Sequence, residues 1–414
     1  MTGTHDNSLG IYISIPFCRS KCTYCNFASG VYPASGHKGY VDRVIEDMAA
    51  AGTWASRMGV ELPRHVDTVY LGGGTPTLLA PELLARLFEA MRANFDLASD
   101  AEITVECAPG QLAGGTLAAL VAAGVNRVSL GVQSFIDREA AVSGRLHSRA
   151  VVVEDIDRLR AAGITNLSVD LIAGLAGQTF DSWHESLAVL TDCGVPHASL
   201  YMLEVDEDSR LGRELLAHGA RYHAELVPTD DAIAQMYSEA IEALDRGGLS
   251  QYEISNFCQP GFESRHNLRY WQRRPYLGLG LDASSMLHEA LHAAGSPGCG
   301  RVLRSTTTCD MKAYLGCPEP TETAWLSPQH QHEEAWFLGL RLNAGVDLAV
   351  VQREFGREPT ARALAVVEKL VDVGLLTSDG KTVRLTSQGQ LLSNDVFQEF
   401  LELESAVGLD IPTS

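Results

Sequence analysis

The chain has 414 residues, 45% of them hydrophobic, with 52 Asp and Glu against 32 Lys and Arg and a formal net charge of −20. That length accommodates one large domain and a smaller one, and the acidic balance argues against nonspecific nucleic-acid binding, which needs a basic footprint. No apolar run is long enough to span a bilayer, and an odd count of nine cysteines with no signal peptide points to a reducing, cytoplasmic setting without disulfides.

The first predicted strand, Ile11–Ile15, leads into the run IPFCRSKCTYCNF, where Cys18, Cys22 and Cys25 have the spacing C-x3-C-x2-C. Three thiolates on one short loop suit three irons of a [4Fe-4S] cluster and leave the fourth iron open to a small molecule. Zinc is the competing reading, but a structural zinc site wants four ligands, as two separated pairs or a Cys/His set, and no fourth is evident nearby. Cys107, Cys193, Cys258, Cys299, Cys309 and Cys317 are scattered and read as buried free cysteines.

Helical and strand patterns then alternate. Helix Gly39–Arg57 precedes strand Val66–Leu71, helix Pro81–Phe95 precedes strand Glu102–Glu106, and helix Gly115–Ala123 precedes strand Arg127–Leu130. Helix Arg149–Ala162, strand Asn166–Ile172, helix Asp181–Asp192 and strand Ala198–Leu203 continue the series. Gly124, Gly163 and Gly194 each end a helix just before a strand, a place that favours the left-handed conformation. Six such strands predict an α/β chain with a parallel, barrel-like sheet, helices outside and the site at the C-terminal ends of the strands.

Polar motifs follow those ends. Gly72-Gly73-Gly74-Thr75 follows the second strand, where missing side chains let backbone amides approach a ligand; its plainer reading is a tight turn. Glu106, Gln133-Ser134, Arg145 in GRLH and Asp170 come after or within later strands. Any one of them alone reads as an ordinary satisfied polar group, whereas together they form one rim.

Further on, Asp230–Arg246 is a predicted helix, and a segment rich in Gly, Arg, Tyr and Trp runs from there to residue 325. Tyr270, Trp271, Arg269 and Arg273 in it are candidates to receive a flat macrocycle with propionates, with interdomain packing as the alternative. Glu333–Leu342, Asp347–Phe355 and Thr360–Val373 predict three helices, followed by a hairpin around Asp379-Gly380, a winged-helix-like pattern. From Val351 to Ser414 there are six Lys and Arg against ten Asp and Glu, which favours a protein-contact or lid role over DNA binding. The expected units are a barrel over 10–247, a connecting segment over its opening at 248–325, and the winged-helix-like unit at 326–414.

In order along the chain, IPFCRSKCTYCNF, LGGGTPTLL, GVNRVSLGVQSF, GRLH, DLIAGLAGQT, YEISNF and HNLRYW resemble the coproporphyrinogen III oxidase-like family of radical S-adenosylmethionine (SAM) proteins, and within it the HemW-type heme chaperones. The resemblance runs from about Ile11 to the C-terminal tail. It implies a partial (β/α)6 radical SAM barrel followed by a HemN/HemW-type C-terminal domain. It implies a [4Fe-4S] cluster on Cys18, Cys22 and Cys25, and SAM held by Tyr12, Tyr24, Gly73, Gly74, Thr75, Glu106, Gln133, Arg145 and Asp170. Of these, Arg145 suits a carboxylate, and Glu106 or Asp170 suits ribose hydroxyls or an ammonium. His266 in HNLRYW becomes a candidate heme contact, because imidazole is a common axial ligand; a structural histidine is the alternative.

The implied function is a heme chaperone that binds heme and delivers it to a heme-requiring acceptor, such as a membrane-bound respiratory enzyme. The alternatives are an oxygen-independent coproporphyrinogen III oxidase and a related radical SAM methyltransferase; no catalytic residue is assigned. Phe27 stands where the oxidases carry a further cysteine, and only seventeen residues precede Cys18 in place of their longer N-terminal arm, so both features favour the chaperones. Ser14 and Ser284 occupy positions where the family usually has histidine, which shifts any ligand role onto His266, while Ala176 and Ala108 are local departures.

Overall fold

The computed structural model describes residues 8–290, 300–316 and 322–401; Cys299 and Cys317 lie outside them. Strands β1 (Leu9–Ile15), β2 (His65–Gly73), β3 (Asp96–Cys107), β4 (Arg127–Gln133), β5 (Asn166–Ala173) and β6 (His197–Met202) pair in chain order, every ladder parallel. Helices His37–Met58, Pro81–Asn94, Gly114–Ala122, Arg149–Ala161 and Phe180–Asp192 cross between them, and Asp230–Arg246 follows β6. This is the partial (β/α)6 barrel. Gly124, Gly163 and Gly194 have φ of +83°, +90° and +59°, the left-handed helix ends that the sequence pattern requires.

Side-chain alternation gives the barrel its character. Ile11, Ile13, Val69, Leu71, Ile103, Val105, Val128, Leu130, Val169 and Leu171 belong to one apolar core with the helices, through positions such as Tyr40, Val44 and Met48 on the first. The intervening residues point the other way, because successive strand side chains alternate faces. They are Tyr12 and Ser14, Tyr70, Thr104 and Glu106, Arg127 and Ser129, Asp170, and Ser199. The inner surface is therefore polar, unlike a barrel filled with branched aliphatic side chains.

The segment after residue 247 extends the sheet at both edges. A hairpin of β7 (Ser250–Glu253) and β8 (Asn256–Cys258) adds antiparallel to β6, while β9 (Tyr276–Leu279) adds parallel to β1. Then β10 (Ser284–His288), β11 (Val302–Thr306) and β12 (Glu322–Leu326) continue antiparallel to make twelve strands. Strands of three to five residues carry too little alternation to be read from sequence. The HNLRYW motif is helix Arg265–Trp271, whose first amides donate to a buried carboxylate of the sheet: Arg265 N and His266 N lie 3.0 Å from Glu102 Oε2 and Oε1. It closes the barrel at the N-terminal ends of its strands.

The C-terminal unit has its own apolar core of Trp336, Leu340, Val351, Ala363, Val367, Val383 and Phe400, among others. Its first helix is Pro328–Gly339, five residues earlier than the sequence pattern suggests, because the Ser327 side chain caps it and Pro328 takes the first turn. Helices Leu348–Phe355 and Arg357–Asp372 pack with a three-stranded sheet of β13 (Val346–Asp347), β14 (Leu376–Ser378) and β15 (Thr382–Leu385), ordered β13-β15-β14. The β14–β15 turn is at Asp379-Gly380, where Asp379 Oδ1 accepts from the amides of Lys381 and Thr382. Among the described residues no helix is long and apolar enough to cross a membrane. Of the scattered cysteines, Cys107 and Cys258 are buried as expected, but Cys193 is half-buried and Cys309 exposed.

Candidate functional site

A cavity of about 590 Å³ lies inside the barrel toward the C-terminal ends of its strands; of the residues expected to hold the cluster, SAM or heme, all line it except Tyr12 and His266, and the macrocycle candidates Arg269, Tyr270, Trp271 and Arg273 do not line it. The cysteine loop forms one wall. Backbone pairing fixes it: Cys18 N donates to Gly30 O at 2.9 Å, Thr23 N to Ser143 O at 3.0 Å, and Leu211 N to Thr23 O at 2.8 Å. Gly144 (φ +91°) lets the GRLH turn approach, since a Cβ there would lie 3.2 Å from Cys22 Cα. Cys22 is buried, and Cys18 and Cys25 are half-buried. Among the described residues no three His, Cys, Asp or Glu side chains converge as a single-ion site. Three thiols on one cavity wall suit an iron–sulfur cluster, whose irons take soft thiolate ligands.

The glycine turn after β2 packs against the strand that leads to the cysteines. A Cβ on Gly74 would stand 2.7 Å from Ile15 O, and one on Gly73 (φ +94°) would stand 3.0 Å from Ser14 Oγ. Its amides are committed: Gly73 N donates to Glu106 Oε2 at 3.0 Å, Gly74 N to Ile15 O at 2.9 Å and Thr75 N to Phe17 O at 2.8 Å. The expectation of free amides for a ligand is corrected accordingly. The turn offers acceptors and the Thr75 hydroxyl, which suits a cationic amino group.

Two buried carboxyl groups face the cavity. Burial, then the neighbouring Asp170, pushes Glu106 up to about 7, against Tyr70 OH donating at 2.9 Å and Gly73 N. Burial likewise raises Asp170, which accepts from Ser129 Oγ at 3.0 Å. Arg145 donates to Tyr24 OH at 3.0 Å, which ties the guanidinium to the cysteine loop. Gln133 adopts φ of +72°, costly for a non-glycine residue, at an irregularity in the β4–β5 pairing. Its Oε1 and Arg145 Nε are both buried without a partner. Orphaned buried polar atoms on a cavity wall fit a polar ligand there.

Tyr12 lies behind this wall, with its ring stacked on Tyr70 at 6.1 Å between centroids. His266 is elsewhere. Its ring is 1% exposed, Nδ1 lies 3.0 Å from Thr68 Oγ1 and Nε2 lies 2.9 Å from Tyr270 OH. Burial lowers it to about 3, so the imidazole is neutral. With both nitrogens engaged in the barrel floor, His266 presents nothing to the cavity, and the heme-contact reading gives way to a structural one. The macrocycle candidates are also occupied. Arg269 pairs with Asp67, Arg273 pairs with Glu354 at 2.7 Å, Tyr270 holds His266, and Trp271 lies under Arg341 at 4.2 Å.

Sequence reasoning passed over several lining residues: Tyr70, Arg127, His147, Ser199, Arg341 and the stretch Leu391–Asp395. Period-two alternation from Gln133 back through Gly131 and Ser129 was the signal for Arg127. Nothing local marks Leu391–Asp395, which the C-terminal unit brings in from about 190 residues beyond β6.

Comparison with known proteins agrees with this layout. Residues 12–190 match the radical SAM superfamily, and residues 326–392 match the HemN C-terminal domain. The chain is 33% identical to heme chaperone HemW of Lactococcus lactis, covering 94% of this chain and 96% of that one, and 34% identical to heme chaperone HemW of Bacillus subtilis, covering 94% and 98%. The radical S-adenosyl methionine domain-containing protein 1, mitochondrial, of Bos taurus is 32% identical over 92% of this chain and 84% of that one. Among solved structures, coproporphyrinogen III oxidase (HemN) from Escherichia coli superposes with a TM-score of 0.78 at 21% identity, covering 96% of this chain and 91% of that one, which is a likeness of fold. Membership of the radical SAM superfamily implies a [4Fe-4S] cluster and SAM, and the near full-length identity places the chain in the HemW family of radical SAM proteins.

Proposed function

We propose that this protein is a cytoplasmic heme chaperone that binds heme beside a [4Fe-4S] cluster and SAM and passes the heme to a heme-requiring acceptor, such as a respiratory enzyme met at the membrane. One observation carries the reading: relatives named heme chaperone match at 33% and 34% identity over 94% of the chain, whereas likeness to the oxidase is at the level of fold. Phe27, on the cavity lining and 62% exposed, supports it, because the oxidase pattern has a cysteine there.

In this reading Cys18, Cys22 and Cys25 hold the cluster, and the bound cluster supplies an iron that SAM chelates. Gly73, Gly74 and Thr75 receive the amino group of SAM through carbonyl and hydroxyl oxygens, and Arg145 its carboxylate. Glu106 and Asp170 accept from ribose hydroxyls, with Gln133 and Tyr24 completing the wall. Tyr12 acts from behind by fixing the glycine turn. The chain divides in this reading into a barrel at 10–247, a connecting segment at 248–325 and a C-terminal unit at 326–414, whose residues Leu391–Asp395 line the cavity.

The test is an anaerobic titration of the cluster-loaded full chain with heme, followed by incubation with coproporphyrinogen III and SAM. A stable heme complex with no porphyrinogen turnover is expected. Formation of protoporphyrinogen overturns the chaperone reading, and methylated product with S-adenosylhomocysteine points instead to a methyltransferase.

A further inference from the structure

Two arginines are almost completely enclosed in the barrel: Arg269 at 0% and Arg127 at 2% exposure. Arg269 is fully engaged. It donates from Nε to Thr68 Oγ1 at 3.2 Å and from Nη1 to the carbonyls of Ser8 and Pro275 at 3.0 and 2.8 Å, and it pairs with Asp67. Arg127 is the opposite case. Among the described residues its guanidinium has no hydrogen-bond or ion-pair partner, its Nε is buried and unsatisfied, and it lines the cavity. A buried cation left without a partner is costly, and a protein that retains one has another use for it.

Its position limits that use. Arg127 is the first residue of β4, paired with Thr104 and Asn166, and six residues before Gln133 at the other end of the strand. At strand rise that is about 20 Å of backbone between the floor of the cavity and the rim by the cysteine loop. Arg145 serves the rim, where it is hydrogen-bonded to Tyr24. The two guanidiniums thus mark opposite ends of one cavity. Between them the facing acids, Glu106 and Asp170, are hydrogen-bonded to Tyr70, Gly73 and Ser129, and Asp170 attracts Arg127 through space without a direct ion pair.

We propose that Arg127 is the receptor for a carboxylate of a ligand that reaches the floor of the cavity. Of the two ligands in the reading above, SAM has its carboxylate on Arg145 at the rim, about 20 Å of strand away, so the group that reaches Arg127 is a heme propionate. A planar guanidinium with five donors takes a carboxylate in bidentate fashion and gains a charge-assisted pair in a low-dielectric pocket. The inference rests on the proposed function, and SAM serves as the control ligand.

Affinities of the cluster-loaded full chain are measured for heme against heme dimethyl ester and for SAM against decarboxylated SAM, in the wild type, Arg127→Met and Arg127→Lys. For the ligand that reaches Arg127, the wild type prefers the free carboxylate by about tenfold or more. Arg127→Met loses that preference and Arg127→Lys keeps part of it. A melting temperature for ligand-free Arg127→Met at or above that of the wild type accompanies this, since removing an uncompensated cation relieves a cost. The proposal is overturned if the wild type binds heme and its dimethyl ester alike, if the preference persists in Arg127→Met, or if ligand-free Arg127→Met melts well below the wild type, which would make Arg127 a structural residue. Should Arg127→Met fail to accumulate, the wild-type comparison and Arg127→Lys decide. Absence of any heme binding sinks the chaperone reading, whereas heme binding without a preference for the free carboxylate sinks this inference alone.

Discussion

The barrel and the C-terminal unit handle burial in opposite ways. In the C-terminal unit the core is apolar and interlocked, with Trp336 at 0% exposure stacked on Phe400 at 5.1 Å between centroids and planes 11° from parallel, and the buried His332 there accepts from Trp336 Nε1 at 3.0 Å. Inside the barrel, the inner face buries Arg127, Glu106, Asp170 and Gln133, two of them with orphaned atoms and two with displaced proton affinities. Polar burial costs free energy unless partners are supplied, so the C-terminal unit is organised for stability and the barrel interior for a ligand.

Four measurements bear on that contrast. The largest effect is expected at the cysteine wall: Cys22→Ser abolishes the iron and sulfide content of anaerobically purified protein, and stoichiometric zinc in place of iron would show that the wall was misread. Next is Trp336→Ala, which removes a fully enclosed ring from the apolar core and costs about 3–5 kcal/mol in chemical denaturation. A cost below about 1 kcal/mol would erase the distinction between the two regions.

Third comes the acid pair. Glu106 is held up at about 7 against an ordinary 4.5, so the folded ligand-free protein keeps a proton that the unfolded chain gives up. Its stabilising share is complete below about pH 4.5 and is lost as pH rises to about 7, a change of about 3 kcal/mol. Denaturation midpoints at pH 5 and pH 8 are compared in the wild type and Glu106→Gln. The variant should flatten the dependence, and an unchanged slope would remove Glu106 from the strained set. The smallest effect is a control in the C-terminal unit. Asp347 caps its helix, accepting from Ala349 N at 2.8 Å and Val350 N at 3.1 Å, and Asp347→Ala should cost about 1 kcal/mol while leaving cluster content unchanged.

Much of this arrangement is readable in the sequence and some of it is not. Long elements with strong periodicity fall within one to three residues of their expected bounds, as with Asp230–Arg246 and Arg149–Ala161. Helix Pro328–Gly339 and strand β3 are exceptions; β3 begins at Asp96, because its first residues mix polar and apolar side chains without alternation. Short strands β7 to β12 and the helix Arg265–Trp271 escape, since pairing and a buried Glu102 carboxylate make them, not local preference.

By itself, the sequence determined the chemistry available: three thiols at cluster spacing, a glycine turn, and the acids and guanidinium that follow successive strands. These are local or periodic properties, carried by neighbouring residues, and the chain states them directly. Only the tertiary structure decided which polar groups are spent on one another. The amides of Gly73–Thr75, Nδ1 of His266 and Nε of Arg269 are consumed by partners distant in sequence, while Arg127, Gln133 and Arg145 keep unsatisfied atoms on the cavity wall. Satisfaction depends on which side chains meet across the barrel, and that is fixed only when the six strands come together.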